Sequence, residues 1–564
     1  MKRRAFVAVG AATAAGTLAG ASKFVRPQGD ADLVLRGGLI VDGSGRPPFE
    51  GDVSLVGDRI REVGRVRARG AEEIDVRGHV VTPGFVDIHS HADLSLLVNP
   101  KAESRIRQGI TLEVVGQDGT SIGPWPDERR EEMNGRYQGA YGIGIDFQDV
   151  PGFLDRIDQA RPAVNVASMV GQGSVRGFAM GYRDRPANAR ELDHQKRLVR
   201  DAIAGGAVGL SSGLEYTPGS FADTSELVEL ARELEGTGYP YASHMRNEDD
   251  RLLSAVEEAL HVGRMAGVPV QVSHLKAQGE RNYWKADAAL EVIGAARAEG
   301  LDVHFDRYPY VAYSTGLSNL FPAALRSGGT QSFVARLRAA DTRDQMEQAA
   351  RAKVALLGSW DAIQIVSTNS ASTRWMSGRK LGELSRETER DPYAVALELL
   401  EAGGGSVSMI GFGMSEENTQ KLLAHPLGMI CTDGGAFAPY GALSGGSPHP
   451  RAYGSFPRVL GLYVREREAM KLELAVHKMT ALPARKLRLE GRGELAPGAY
   501  ADVVAFDPDT VADGATFEDP HQYPTGIPLV IVNGVVTLRD GEHTGALGGR
   551  AVRGSGYPVG ATGG

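Results

Sequence analysis

The sequence predicts an α/β protein: a (β/α)8 barrel, a small β-sandwich domain built from both chain ends, and an inserted subdomain. Three observations predict it. Short apolar runs alternate with amphipathic stretches through the middle of the chain, the pattern of parallel strands joined by helices. Glycine-punctuated β-like runs occur at both ends. Residues 316–405 carry helical periodicity with no obvious barrel strand and read as an insert or lid.

Taken in order, residues 1–28 stand apart. "MKRRAFVAVGAATAAGTLAGAS" has a basic start, a small-residue apolar stretch and a site suited to cleavage after Ala21, the anatomy of an export signal. Arg3-Arg4 gives it a twin-arginine character, which implies a periplasmic or extracellular destination. No other segment is apolar for the roughly 18 residues that span a bilayer.

The β-rich domain is expected over 29–82 plus 486–555, from runs such as "DLVLRGGLIVDGSG" and "LVIVNGVVTLRDGEHTG". The barrel is expected over 83–315 plus 406–485. Its eight strands are "GFVDIH", "TLEVV", "AVNVASMV", "AVGLSS", "YPYASH", "PVQVSH", "LDVHFD" and "LGMICTD". "GSVSMIGFG" is one strand candidate too many. Residues 556–564 form a tail.

Composition sets outer limits. The 564 residues carry a net charge of −8, which argues against a nucleic-acid-coating surface. There is a single cysteine, Cys431, so no intrachain disulfide can form.

The informative residues stand where strands end. His89 and His91 close the first, and their spacing puts both imidazoles on one face. Asp118 follows the second, in "VVGQDGT"; His244 and His274 close "YPYASH" and "PVQVSH"; Asp433 closes "LGMICTD". In a barrel these ends converge on one mouth. Four histidines and two carboxylates there suit one or two divalent metal ions such as zinc. A carboxylate near a metal-activated water can act as general base, the role expected of Asp433. Cys431 shares a face with Asp433 and is expected one layer deeper in the barrel.

The set "HSH … SH … SH … TDG" resembles the amidohydrolase superfamily. "GLSSGLEYTPG", "YASHMRNED", "VSHLKA", "YPYVAYST" and "PHPRAYGSFPRVLG" narrow the resemblance to the N-acyl-D-amino-acid deacylases, or D-aminoacylases. The resemblance implies a zinc-dependent hydrolase of linear amides. His89 and His91 would serve one metal position, His244 and His274 the other, and Asp433 would be the base. It also suggests Lys276, Tyr308, Ser314 and Arg451 as the clamp on a small-molecule N-acyl amino acid's carboxylate. The family commonly bridges its metals with a cysteine; here Asp118 stands in that place, with Glu215 a weaker candidate. "TGLSNLF" after Ser314 is apolar and without arginine, so an apolar pocket for the D-residue's side chain is expected. The alternatives are a cyclic-amide hydrolase of the dihydroorotase or hydantoinase kind, a dipeptidase, or a non-catalytic barrel that only binds.

Overall fold

The computed structural model describes residues 30–555. The export-signal reading of 1–28 and the 556–564 tail lie outside the described residues. Among the described residues no helix is long and apolar enough to cross a membrane.

All eight expected barrel strands form. In chain order they are Phe85–Asp87, Ile110–Val115, Asn165–Ser168 (continued by Val170–Gly171), Leu210–Gly213, Tyr241–His244, Val270–Val272, Val303–Arg307 and Gly428–Ile430. Neighbours pair in parallel. They are buried on both faces because helices cover the outside. The ring closes beyond the eighth strand, where Asp433 N donates to His89 O at 2.8 Å and His91 N to Gly434 O at 2.9 Å. The closing bonds are thus made by the expected site residues themselves.

The covering helices start where the sequence provides caps. Asn188 and Glu191 form a reciprocal capping box for Ala189–Ala204, and Asp223 accepts from Glu226 N ahead of Thr224–Ala231.

The two chain ends meet in one continuous sheet. Strands between Ala31 and Pro83 join those between Val503 and His543 through the antiparallel pairing of Val80–Pro83 with Val503–Phe506. Alternation sorts its faces. Val503, Ala505, Leu529 and Ile531 enter the small domain's own core, while Val504, Phe506, Val530 and Val532 pack into the barrel's. The small domain is therefore fixed to the barrel by every second residue.

The insert differs from its expectation of helices over 316–405. Besides the helices Gly329–Arg338, Arg343–Leu357, Leu381–Thr388 and Pro392–Ala402, it holds an antiparallel sheet of Ala312–Gly316, Val407–Phe412 and Ile363–Thr368. The surplus strand candidate "GSVSMIGFG" is the central strand of that sheet. The insert is thus wider than 316–405, reaching from Ala312 to Phe412.

Candidate metal centre

The strand ends deliver their side chains to one cavity of about 330 Å3 at the barrel mouth. Asp118 lies at its centre. One carboxylate oxygen is 3.3 Å from His89 Nε2 and 3.3 Å from His274 Nε2; the other is 3.4 Å from His91 Nε2 and 3.6 Å from His244 Nδ1. Asp433 Oδ1 is 3.1 Å from His91 Nε2 and 3.7 Å from His89 Nε2. Three donor groups result, His89–His91–Asp118–Asp433, Asp118–His244–His274 and Glu215–His244–Glu248, with Asp118 common to the first two and His244 to the last two.

Backbone conformation aims these groups. Asp118, His274 and Asp433 have φ of 53°, 35° and 49°, in the left-handed region that costs a non-glycine residue about 1–3 kcal/mol. Each strand turns sharply at its end and points the side chain back over the barrel axis. The loop carrying Asp118 also comes very close to the fourth strand. A Cβ at Gly119 would lie 2.5 Å from Gly213 N.

The donor set fits a divalent cation. His89 Nε2 and Asp118 Oδ1 are buried, face each other and make no hydrogen bond. Orphaned buried polar atoms are costly, and a shared cation satisfies both. Nitrogen and carboxylate donors suit zinc. Charge points the same way. Burial works against a charged imidazole, yet Asp118 and its neighbouring carboxylates raise His91 to about 9 and His244 to about 10. Burial opposes ionisation of Asp118 too, but His89, His274 and His244 hold it well below the usual carboxylate range. A site that gathers protons on its imidazoles gathers a cation equally well, releasing those protons.

A further ring of residues, absent from the sequence reading, orients the imidazoles. His89 Nδ1 faces Asp306 Oδ1 at 3.3 Å, and Asp306 also accepts from His274 N at 2.9 Å. His274 Nδ1 lies 3.0 Å from Glu248 Oε1 and 2.7 Å from Lys276 Nζ. With Nε2 bare toward Asp118 the hydrogen sits on Nδ1 and goes to Glu248; with Nδ1 bare it accepts from Lys276, so the Glu248–Lys276 pair sets this ring's tautomer. Carboxylates behind metal-facing histidines set the tautomer and raise ligand basicity. Asp306 ends "LDVHFD", and Glu248 lies four residues after His244.

The clamp residues occupy two levels. Arg451 lines the cavity and donates to Asp433 Oδ2 at 2.6 Å; Lys276 lines it and donates to Glu248 at 2.5 Å. Ser314 is on the same wall. Tyr308 does not line the cavity. It is fully buried beneath, its ring centroid 4.8 Å from the Arg451 guanidinium, and its hydroxyl makes no hydrogen bond. Cys431 is fully buried and off the cavity, a layer below Asp433. Glu215 lies 3.6 Å from His244 Nε2, across that ring from Asp118, in the third group; Asp118 is the carboxylate that the first two groups share.

The expectation of an apolar side-chain pocket is corrected. Leu317, Leu320 and Phe321 turn into the insert's core, Phe321 against Phe333 with centroids 5.3 Å apart. The cavity wall there is polar: Glu215, Thr315, Asn319 and Lys353.

Comparison with known proteins agrees with this geometry. The amidohydrolase family model matches residues 72–538. The chain is 36% identical to the D-aminoacylase of Alcaligenes xylosoxydans xylosoxydans over 529 residues, covering 92% of this chain and 97% of that one. It is 38% identical to an N-acyl-D-glutamate deacylase of the same organism over 507 residues, 89% and 93% of the two chains. A solved structure of the Bordetella bronchiseptica N-acyl-D-glutamate deacylase, complexed with zinc and a phosphonate mimic of the tetrahedral intermediate, superposes with a TM-score of 0.78. Its identity is 34%, over 93% of this chain and 99% of that one. A crystal structure of D-aminoacylase gives a TM-score of 0.77 at 36% identity, over 93% and 100%. Barrel, histidine cluster at its mouth and overall likeness converge: the chain belongs to the amidohydrolase family, within its group of D-aminoacylases.

Proposed function

We propose that this chain hydrolyses the amide bond of N-acyl-D-amino acids, giving a carboxylate and a free D-amino acid. The observation that carries the reading is one cavity holding the imidazole cluster around Asp118, the Asp433 carboxylate beside it, and the Arg451 guanidinium 2.6 Å from that carboxylate. His89, His91, Asp118, His244, His274 and Asp433 would hold a divalent cation, which when bound would supply Lewis acidity toward the scissile carbonyl and toward water. Asp433 takes the proton that the attacking water loses and delivers it to the departing amine nitrogen. Arg451, Lys276 and Ser314 are placed to receive the substrate's free carboxylate, Arg451 by exchanging its contact with Asp433 for one with substrate. Such a clamp favours linear substrates with a free carboxylate over cyclic amides. The polar wall of Glu215, Asn319 and Lys353 favours hydrogen-bonding side chains. The D-configuration follows the substrates of the relatives. We also propose that residues 1–28 direct twin-arginine export.

The test is a panel of N-acetyl-D- and N-acetyl-L-amino acids, assayed with and without chelator. Chelator-sensitive turnover of the D-series is expected, with Asp433→Asn slowed about 10²- to 10⁴-fold. Equal turnover of the L-series, indifference to chelator, or an active Asp433→Asn would reject the reading.

A further inference from the structure

A second chamber opens from the metal centre. Its volume is about 220 Å3, and it shares Asp118, Thr120 and Tyr216 with the main cavity. Away from those three its wall is mainly apolar and aromatic, with Pro124, Trp125, Phe178, Tyr182 and Pro218, and Arg129, Ser174 and Thr217 are its polar side chains. Tyr216 stands at the junction. Its ring packs on His244 with centroids 4.6 Å apart, and its hydroxyl reaches Thr315 Oγ1 at 3.3 Å. The deacylation reading gives this chamber no task.

We infer that the chamber receives the acyl chain of the substrate, and that the enzyme acts on medium-length or aromatic N-acyl groups in preference to N-acetyl. The inference rests on the deacylation reading and assigns the one substrate branch which that reading leaves unplaced. The reacting carbonyl carbon bears two groups. The amine side leads to the carboxylate and side chain, for which the main cavity offers Arg451 and Lys276 together with Glu215, Asn319 and Lys353. The acyl side starts at the carbonyl itself, beside the bridging carboxylate, and the chamber opens at that carboxylate. An acetyl group is too short to use it. An alkyl chain or phenyl ring running past Tyr216 toward Trp125 and Phe178 leaves water for an apolar wall, at about 0.8 kcal/mol per methylene.

Gly177 offers a clean test. It lies in the helix Gln172–Met180 on the chamber wall, and an added Cβ would meet only Pro218 Cγ, at 3.7 Å. Gly177→Leu therefore starts its side chain on the chamber wall without a Cβ clash, and no metal-facing residue is among the atoms that Cβ meets. Hydrolysis of N-acetyl, N-hexanoyl, N-octanoyl and N-phenylacetyl derivatives of one D-amino acid is measured on the full enzyme. The wild type is expected to have kcat/KM for the octanoyl or phenylacetyl substrate about tenfold or more above acetyl. Gly177→Leu should abolish that preference and leave acetyl turnover within about twofold; Phe178→Ala should retain acetyl turnover and accept bulkier acyl groups. A wild type that prefers acetyl, or a Gly177→Leu that leaves the chain-length profile unchanged or lowers all substrates in parallel, overturns the chamber's role. The acetyl rate keeps the two readings apart: brisk acetyl turnover with no gain from longer chains defeats this inference alone, whereas no turnover of any derivative defeats both.

Discussion

Glu248→Gln is the substitution from which the metal centre can be judged. The carboxylate is 2% exposed and receives Lys276 Nζ at 2.5 Å and Gln278 Nε2 at 2.8 Å, with His274 Nδ1 3.0 Å away. Burial opposes its ionisation, but Lys276 and the two imidazoles outweigh it and hold the carboxyl well below the usual range. Burial likewise favours a neutral Lys276, and Glu248 is the main group that keeps it charged. Glutamine preserves the volume and removes the charge, and one of its two head atoms becomes a donor facing donors. Two consequences follow. Lys276 becomes a buried cation without its counter-ion, a loss of about 3–5 kcal/mol in stability unless it gives up its proton. The His274 ring loses the carboxylate of the pair that sets its tautomer, which weakens metal binding about 10- to 100-fold, or roughly 1.4–2.7 kcal/mol. The assay is zinc retention across a series of metal buffers, with denaturant melts of the same samples. Both curves should move toward lower stability. Zinc affinity within about twofold of wild type, with an unshifted melt, would show that Glu248 neither orients His274 nor balances Lys276.

Arg451→Met removes both the clamp and the 2.6 Å contact to Asp433; kcat/KM should fall by about 2–5 kcal/mol, chiefly through KM, and Arg451→Lys should recover part of it. Comparable KM values in steady-state assays of wild type and Arg451→Met would remove the residue from the clamp. Dialysis against chelator should abolish hydrolysis and zinc should restore it; survival of activity in metal-free protein, checked by elemental analysis, is the contrary result. Lys478, fully buried and donating to the carbonyls of Leu423 and His425, is pushed down to about 7 by burial. Between pH 7 and its unfolded value near 10.5 the unfolded chain holds a proton that the folded one lacks. Stability contributed here therefore rises with pH across that window, by about 5 kcal/mol in all, and is constant below it. Denaturant midpoints from pH 7 to 10 should flatten in Lys478→Met; an unaltered slope is the contrary result.

The barrel was legible because strands alternate with helices and five of the eight strands lead into a residue whose chemistry marks it. Six letters at strand ends, read with the period of two, place the metal-facing groups without any knowledge of long-range pairing. Glu248 and Asp306 escaped because their meaning is relational. Nothing in "RNED" or "HFD" says that a carboxylate faces the back of an imidazole on another strand. "GSVSMIGFG" was ambiguous for a related reason. An apolar run of six suits a barrel strand or an insert strand equally, and its ladder partners lie some 40–100 residues upstream. "TGLSNLF" misled because composition carries no direction. The chain turns through a short 3-10 helix, Leu317–Leu320, that sends Leu317 and Leu320 to the core and leaves Asn319 on the cavity.

Asp118 carries the strongest link from local backbone to chemistry. A thiolate, common at this place in the family, is soft and favours zinc; a carboxylate is harder and offers two oxygens. Here both oxygens are used. One faces His89 and His274, the other His91 and His244, so the single side chain touches both halves of the cluster. That reach depends on the loop around it. Gly116 and Gly119 take φ of 73° and 72° on either side of Asp118, itself at 53°, and Gly119 lets the loop press against Gly213. Gly119→Ala, which cannot adopt that position without displacing the fourth strand, should therefore act on the metals from a distance. Zinc affinity should fall although every ligand remains. Unchanged zinc affinity in Gly119→Ala would mean that the carboxylate finds its place without the loop's close approach.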